Sequence, residues 1–190
     1  MKLGRGKAWV FDGVLDVDWQ MVEFTGAAKA RATVQSAAVD PLSRQVIDEE
    51  AYAKEYAKYL LTPIDPDFPK KVKPGDYLVG NKGLGYGHDH DGPCIAMKGA
   101  GIAGIICEAI SANFKRNCVF RGIPVVIAKG IMDATKTGDE LEVDLAAGTM
   151  KNLTSGKELR FAPYPDFLIE IIQAGGVYPL LKSMAAAGKV

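Results

Sequence analysis

Histidine is nearly absent from this 190-residue sequence, and its only two copies lie together in the segment His88-Asp89-His90-Asp91-Gly92. An excess of either charge is absent as well, because 23 lysines and arginines balance 23 aspartates and glutamates. Nucleic acid is usually bound by a basic face, so we expect no nucleic-acid partner. A neutral chain also presents no charge barrier to the docking of a second protein.

Long hydrophobic runs and cysteine pairs are scarce too. No run approaches the ~18 apolar residues of a membrane helix, and the first residues contain no apolar core of a signal peptide, so we expect a cytoplasmic protein with no membrane partner. The three cysteines, Cys94, Cys107 and Cys118, form neither a CxxC pair nor a disulfide framework. We interpret them as small buried apolar residues in a reducing compartment.

The order of the predicted elements indicates one α/β domain over residues 1–190. Between residues 77 and 128, short apolar strands alternate with helices, which is typical of parallel βαβ units. After residue 138, alternating polarity and glycine turns predict an antiparallel meander, so the sheet should be mixed. We predict strands at 8–11, 77–80, 102–107, 123–128, 140–145, 149–153 and 158–161, and helices at 48–61, 93–99, 109–117, 166–173 and from 179 onwards.

Three stretches lack a clear element. Residues 24–45 show no period and are interpreted as a loop or a weak helix, and 62–74 contain four prolines and are interpreted as a linker. Residues 81–92 are rich in glycine and hold both histidines, so we expect a loop there. We treat 23–62 as a variable loop and helix, and 179–190 as a helical tail.

The histidine-containing segment allows three interpretations from the residues alone. It precedes a predicted helix whose first turn offers free N–H groups, and histidine moves protons near neutral pH, so it could be a proton-transfer and anion site. His-x-His could also hold a metal if a third ligand came from elsewhere. The third interpretation is a solvated turn with helix-capping residues.

Several motifs, in order along the chain, are similar to those of one known family. They are Asp16-Val17-Asp18, Lys73-Pro74-Gly75-Asp76, Val79-Gly80-Asn81-Lys82, Ala100-Gly101-Ile102, Phe114-x-Arg116-Asn117-Cys118, Gly122-Ile123-Pro124-Val125, Gly138-Asp139-Glu140, Asn152-Leu153-Thr154-Ser155-Gly156-Lys157 and Pro165-Asp166-Phe167-Leu168 through Gly175-Gly176. Together they resemble the small subunit of 3-isopropylmalate dehydratase, the swivelling domain of the aconitase superfamily. The resemblance leaves out only about residues 23–62.

This resemblance implies a fold, a partner and an activity. The implied fold is a swivelling β/β/α three-layer α/β domain with a mixed parallel and antiparallel sheet. The implied partner is a large subunit that carries a [4Fe-4S] cluster, with no cluster bound by this chain and an active site formed between the two subunits. The implied activity is that of a hydro-lyase, which adds water to or removes it from a small hydroxy-carboxylate.

The sequence diverges from this family in the catalytic loop. The family's loop reads Gly-Ser-Ser-Arg-Glu-His, whereas Gly87 is followed here by His88, Asp89 and His90. His88 falls on the serine base, Asp89 on the second serine, and His90 on the arginine that grips a carboxylate. Asp18 is kept, but the Pro-Ala-Arg that follows it in the family is replaced by Glu23-Phe24-Thr25.

We therefore expect the loop to keep a proton-transfer role with different residues. His88 would be the general base or acid, Asp89 would orient it, and His90 with the start of the helix at Pro93 would receive a carboxylate. The remaining candidate substrate-binding residues are Asp18, Gly87, Asp91 and Gly92, and we assign no metal ligand in this chain.

Two further points stay open from the sequence. Loss of the serine and arginine also fits a non-catalytic binding or regulatory subunit. Arg31 or Arg44, in the segment that the resemblance does not cover, could restore a cation facing the substrate.

Overall fold

A computed structural model describes residues 1–22, 28–29 and 48–189 of the chain. The predicted loop or weak helix at 24–45, apart from Ala28 and Lys29, lies outside the described residues. So do Glu23-Phe24-Thr25, Arg31 and Arg44. No helix in the described part is long and apolar enough to cross a membrane.

Nine strands and seven α-helices are described. The strands are β1 (Gly6–Phe11), β2 (Val14–Asp16), β3 (Tyr77–Gly80), β4 (Gly83–Tyr86), β5 (Gly104–Cys107), β6 (Val125–Ile127), β7 (Glu140–Asp144), β8 (Thr149–Asn152) and β9 (Glu158–Arg160). The helices are α1 (Glu49–Ala57), α2 (Phe68–Lys71), α3 (Gly92–Ala100), α4 (Ala112–Phe120), α5 (Ile131–Ala134), α6 (Asp166–Gln173) and α7 (Val177–Ala186). A π-helical turn, Val17–Met21, follows β2.

The main sheet has seven strands in the order β6-β5-β3-β1-β7-β8-β9. Strands β6, β5, β3 and β1 run parallel, whereas β1 to β7, β7 to β8 and β8 to β9 are antiparallel pairs. The expected mixed α/β sheet is thus confirmed. Its parallel half comes from the βαβ units and its antiparallel half from the meander after residue 138.

Two hydrophobic cores cover opposite faces of the parallel half. Successive side chains of a strand point to opposite faces, and Leu78 packs in one core while Tyr77 and Val79 pack in the other. In β5, Ile105 likewise joins the first core and Ile106 the second. Both faces of these strands are therefore buried, as their continuous apolar runs indicate.

A second, two-stranded parallel sheet joins β2 and β4. Strand β4 falls in the stretch predicted as a loop, because glycine disfavours strands in general. Here the glycines permit close contact: a Cβ at Gly83 would lie 2.8 Å from Val14 Cα, and one at Gly85 would lie 2.2 Å from Phe114 Cδ1. This small sheet sets the end of β2 beside the start of the histidine segment.

Several helix boundaries differ from the predictions. Helix α3 ends at Ala100 rather than at Gly99, and Gly101 caps it in a left-handed conformation (φ 73°). Helix α4 begins and ends three residues later than the apolar pattern suggests. Helix α7 begins at Val177, which puts Pro179 inside its first turn. A short helix, α2, lies inside the predicted linker and buries Phe68. The cap at Asp48 is confirmed, since its Oδ1 accepts a hydrogen bond from the Ala51 N–H at 2.9 Å.

Candidate active site

The end of β2 fixes the position of Asp18. Asp16 Oδ1 accepts hydrogen bonds from the backbone N–H groups of Asp18 at 2.8 Å and Trp19 at 3.0 Å, which starts the π-helical turn. This turn leaves the Asp18 side chain only 14% exposed. A largely buried carboxylate is thereby held at the edge of the small sheet.

The histidine segment begins at Gly87, where the backbone has φ +113°. This left-handed region favours glycine, and a Cβ at this position would lie 2.8 Å from Asp18 Oδ2. Gly87 is thus a conformational requirement for bringing the next residues against Asp18. Gly87 therefore contributes its backbone conformation to the site and no functional group.

Both histidines face Asp18. His88 Nδ1 lies 2.9 Å from Asp18 Oδ2, and the backbone N–H of His88 donates to the same oxygen at 3.2 Å. His90 Nε2 lies 2.9 Å from Asp18 Oδ1. This second oxygen is buried and accepts no hydrogen bond from the described residues, because the His90 ring is not aligned to donate to it.

The contact changes the protonation of both partners. Burial by itself would raise the pKa of Asp18, but its hydrogen bonds with His88 outweigh burial and hold the pKa below the ordinary value of 3.8. The hydrogen bond with Asp18 raises the pKa of His88 above 6.5. Asp18 therefore stabilises the imidazolium that forms when His88 accepts a proton.

The two aspartates of the segment face the other way, towards α4. Asp89 Oδ1 accepts a hydrogen bond from Asn117 Nδ2 at 2.6 Å, and Asp89 Oδ2 lies 3.5 Å from the Arg116 guanidinium. Asp91 forms an ion pair with Arg121 at the end of the same helix. The segment thus alternates, with its histidines on Asp18 and its aspartates on α4.

This arrangement corrects one expected role. Asp89 was expected to orient His88, but the carboxylate in contact with the His88 imidazole is Asp18, 70 residues away in sequence. Asp89 was suggested because it is adjacent to His88 in sequence, and a contact between residues far apart in sequence could not be predicted. Asp89 instead anchors the segment to α4.

The expected helix start at Pro93 is one residue late. Helix α3 begins at Gly92, and the Asp91 backbone carbonyl accepts from the Ile95 N–H at 3.0 Å. The Asp91 side chain does not cap the helix. Gly92 and His90 line the same cavity, so the first turn of α3 opens beside the histidines.

Two cavities meet at the Asp18–His88 pair. The first has a volume of about 440 Å³ and joins Asp18, His88 and His90 to an apolar wall that includes Trp19, Val22, Tyr52, Tyr56 and Ile95. The second, of about 510 Å³, is lined by Asp16, Asp18, Tyr86, Gly87, His88 and Ser111. His88, with 84% of its side chain exposed, is therefore open to a bound molecule.

Sequence reasoning missed the aromatic wall and the α4 anchors. Tyr52 and Tyr56 are one helical turn apart on α1, with ring centroids 5.0 Å apart, but nothing in their spacing shows that α1 packs beside the histidines. The Arg116-Asn117 pair belongs to a recognised motif, and its contact with Asp89 needed the fold. The tyrosines line the cavity beside the histidines, whereas Arg116 and Asn117 hold Asp89.

The chain is similar in sequence to curated small subunits of one family of enzymes. The chain is 45% identical over 133 residues to the isopropylmalate/citramalate isomerase small subunit of Methanocaldococcus jannaschii, over 70% of this chain and 79% of that one. It is 34% identical over 178 residues to 3-isopropylmalate dehydratase small subunit 1 of Methanopyrus kandleri, over 94% of this chain and 92% of that one. No family model matches the chain.

A solved structure agrees with this relationship. The crystal structure of 3-isopropylmalate dehydratase (LeuD) from Methanocaldococcus jannaschii superposes with a TM-score of 0.72 and 26% identity, over 99% of this chain and 98% of that one. The mixed sheet and its helices define an α/β domain of the swivelling type found in the aconitase superfamily. The chain belongs to the family of 3-isopropylmalate dehydratase small subunits, which are subunits of a hydro-lyase.

Proposed function

We propose that this chain completes an active site on a large subunit that carries a [4Fe-4S] cluster, and that the pair adds water to or removes it from a small hydroxy-dicarboxylate. Relatives named for isopropylmalate and citramalate support a substrate with an alkyl branch. The apolar wall with Trp19, Tyr52 and Tyr56 suits such a branch, because it offers an apolar surface beside the histidines. A cytoplasmic location, with no nucleic-acid or membrane partner, stays a prediction.

The cysteines of this chain do not fit a cluster. Such clusters are held by cysteine thiolates. Cys94, Cys107 and Cys118 are all buried, and burial raises the pKa of Cys107 to about 12 and that of Cys118 well above its usual range. The Cys107 and Cys118 thiols therefore stay protonated within the packed core. Their state supports assigning the cluster to the large subunit, where it would supply a Lewis acid.

His88 is proposed as the group that moves the substrate proton. Loss of water breaks a C–H bond beside a carboxylate and a C–O bond at the neighbouring carbon, so one base must accept the carbon's proton. The observation that carries this role is the 2.9 Å contact from His88 Nδ1 to Asp18. It leaves Nε2 for the substrate, and Asp18 stabilises the imidazolium that forms.

The substrate carboxylate is proposed to bind at His90 and the first turn of α3. The N–H groups of that turn, beginning at Gly92, carry the positive end of the helix dipole, which attracts a carboxylate. Asp18 and Gly87 would set the position of His88 beneath the substrate. Asp91 would act by holding the loop to Arg121 rather than by touching a substrate of like charge.

The proton-transfer role is tested by His88→Ala in the complex reconstituted with the large subunit of the same organism. We expect turnover to fall by about a hundredfold or more, while the two subunits still associate, because general acid–base catalysis contributes that much. Lys151→Ala, at an exposed residue of β8, is the matched control and should turn over normally. Near-normal turnover of His88→Ala would overturn the role.

A further inference from the structure

We propose that Asp18, His88 and His90 form a binding site for one divalent transition-metal ion, best matched by zinc, whose binding takes His88 out of proton transfer. The binding itself is independent of the proposed function. The inhibition of turnover by zinc rests on the proposed function, in which His88 transfers a proton.

Three potential ligand atoms converge at this point. Asp18, His88 and His90 each offer one, and all three lie within 4.8 Å of one another. Around an ion with bonds of ~2.1 Å, tetrahedral ligands are about 3.4 Å apart, which lies between the 2.9 Å contacts to Asp18 and the 4.8 Å limit of the group, so only a small rearrangement of the rings is needed. The exposed His88 and His90 rings can make that rearrangement, since 84% and 50% of these side chains are exposed, while Asp18 stays fixed.

Asp18 carries an unsatisfied oxygen that a cation would satisfy. Its Oδ1 is buried, and within the described part of the chain no hydrogen bond reaches it, although His90 Nε2 lies 2.9 Å away. Buried polar atoms normally have a partner, and a cation bound by Asp18 and the two imidazoles would give this oxygen one. The backbone N–H groups of Asp18 and Trp19 donate hydrogen bonds to Asp16 Oδ1, and these bonds hold the Asp18 carboxylate in place.

The ligand types select the class of metal. Two imidazoles and one carboxylate suit zinc, and other borderline ions such as Fe²⁺, whereas calcium and magnesium prefer oxygen ligands alone. No thiolate takes part, because the three cysteines are buried in the core. Three protein ligands with cavities on the Asp18–His88 pair leave a coordination position open to water or to a carboxylate.

The surrounding contacts support the ligands from behind. The ion pair of Asp91 with Arg121 and the hydrogen bond of Asp89 with Asn117 hold both ends of the short segment against α4. His88 and His90 alternate with these anchors and so keep facing Asp18.

The consequence for the reaction follows from the nitrogen that the metal occupies. A zinc ion between Asp18 and His88 replaces their hydrogen bond, so Asp18 no longer stabilises a protonated His88. The bound ring then loses its ability to accept the substrate's proton. Zinc is therefore expected to act as a reversible inhibitor of the complex.

The binding is tested on the isolated full-length chain, dialysed against a chelator and then titrated with Zn²⁺ by calorimetry and by NMR of the imidazoles. Because the chain has only two histidines, every imidazole signal reports this site. We expect one ion per chain and shifts of both rings. Asp18→Asn and His90→Gln should each weaken binding by about tenfold or more, since each removes one ligand.

Asp67→Asn is the matched control, because this exposed carboxylate pairs with Lys70 and offers no histidine neighbour. Circular dichroism of each variant shows that the fold is kept. The absence of stoichiometric zinc, or equal zinc affinity in all three variants, would overturn the metal site whatever the activity of the complex.

The inhibitory half is tested in the reconstituted complex. Zinc should inhibit the wild-type complex, and His90→Gln should need about tenfold more zinc for the same fractional loss of its own zinc-free rate. If zinc binds the isolated chain but does not reduce turnover of the complex, the proposed inhibition is wrong, whereas the proposed zinc site stands. Failure of His88→Ala to reduce turnover separately overturns the proposed function.

Discussion

Asp18 Oδ2 lies 2.9 Å from His88 Nδ1 across 70 residues of sequence, and this contact organises the site. The π-helical turn after β2 supplies the carboxylate, and the left-handed backbone at Gly87 delivers the imidazole. Each element alone is an ordinary turn. Their meeting depends on the two-stranded sheet of β2 and β4, which aligns the two chain segments.

The Asp18–His88 contact predicts a shifted titration. In the metal-free isolated chain, the pKa of His88 should exceed 6.5, and Asp18→Asn should bring it back towards that value because the negative partner is lost. The His88 imidazolium therefore persists to higher pH in the wild type. NMR titration of the two imidazoles measures this directly, with Asp67→Asn as the control. Equal His88 pKa values in wild type and Asp18→Asn would contradict the contact.

Gly87→Ala should separate backbone strain from damage to the site. Forcing alanine into a left-handed backbone costs about 1–2 kcal/mol. Gly156, at φ +75° with open space around it, has the backbone strain without a steric clash, so Gly156→Ala should lose about this much free energy of unfolding in urea and Gly87→Ala at least as much.

Only the Gly87 variant should lose turnover, because its Cβ would lie 2.8 Å from Asp18 Oδ2. Turnover of both variants in the reconstituted complex checks the comparison. Comparable turnover in both would show that the close approach at Gly87 has no bearing on the site.

The ion pair of Arg121 with Asp91 should keep the histidine segment ordered. Arg121→Met keeps much of the side-chain volume but leaves Asp91 without its partner, and a partly exposed ion pair contributes up to about 1 kcal/mol. We expect backbone amides at 88–91 to exchange about threefold to fivefold faster, as measured by hydrogen exchange with mass spectrometry. Arg160→Met, on exposed β9, is the control. Unchanged exchange in Arg121→Met would show that the segment is held by other contacts.

The cysteines should resist thiol reagents in the native chain. With the pKa of Cys107 raised to about 12 by burial, and that of Cys118 raised as well, almost no thiolate forms at pH 8. A disulfide-exchange reagent should label none of the three before unfolding and all of them in denaturant. Rapid labelling of the native chain at pH 8 would mean that the core opens or that the thiols are exposed.

The sequence predicted the parallel βαβ core and the antiparallel meander well, because apolar runs such as 104–107 and alternation such as 140–144 are local signals. It failed at β4, where the glycines that weaken a strand in general are needed for contact with Val14 and Phe114. Helix α2 was hidden by the prolines around Phe68. These errors occur where tertiary packing overrides local preference.

The site shows the same division. His88, His90 and Asp18 could be named from residue types and from the family resemblance, and the structure brings all three together. The sequence suggested that Asp89 orients His88, whereas Asp18 contacts the His88 imidazole. The distance between Asp18 and His88 depends on the fold and could not be read from the sequence. Asn117 belongs to a motif named from the sequence, but its contact with Asp89 could be found only from the structure, as could the roles of Arg121 and the aromatic wall.

The most direct test of the proposed role is exchange of the substrate's carbon-bound proton with deuterated solvent, catalysed by the reconstituted complex. This measurement isolates proton abstraction from loss of the hydroxyl group. If His88, held by Asp18, is the base, His88→Ala should slow deuterium incorporation by about a hundredfold or more while substrate binding persists. Deuterium incorporation at the wild-type rate in His88→Ala would contradict the account.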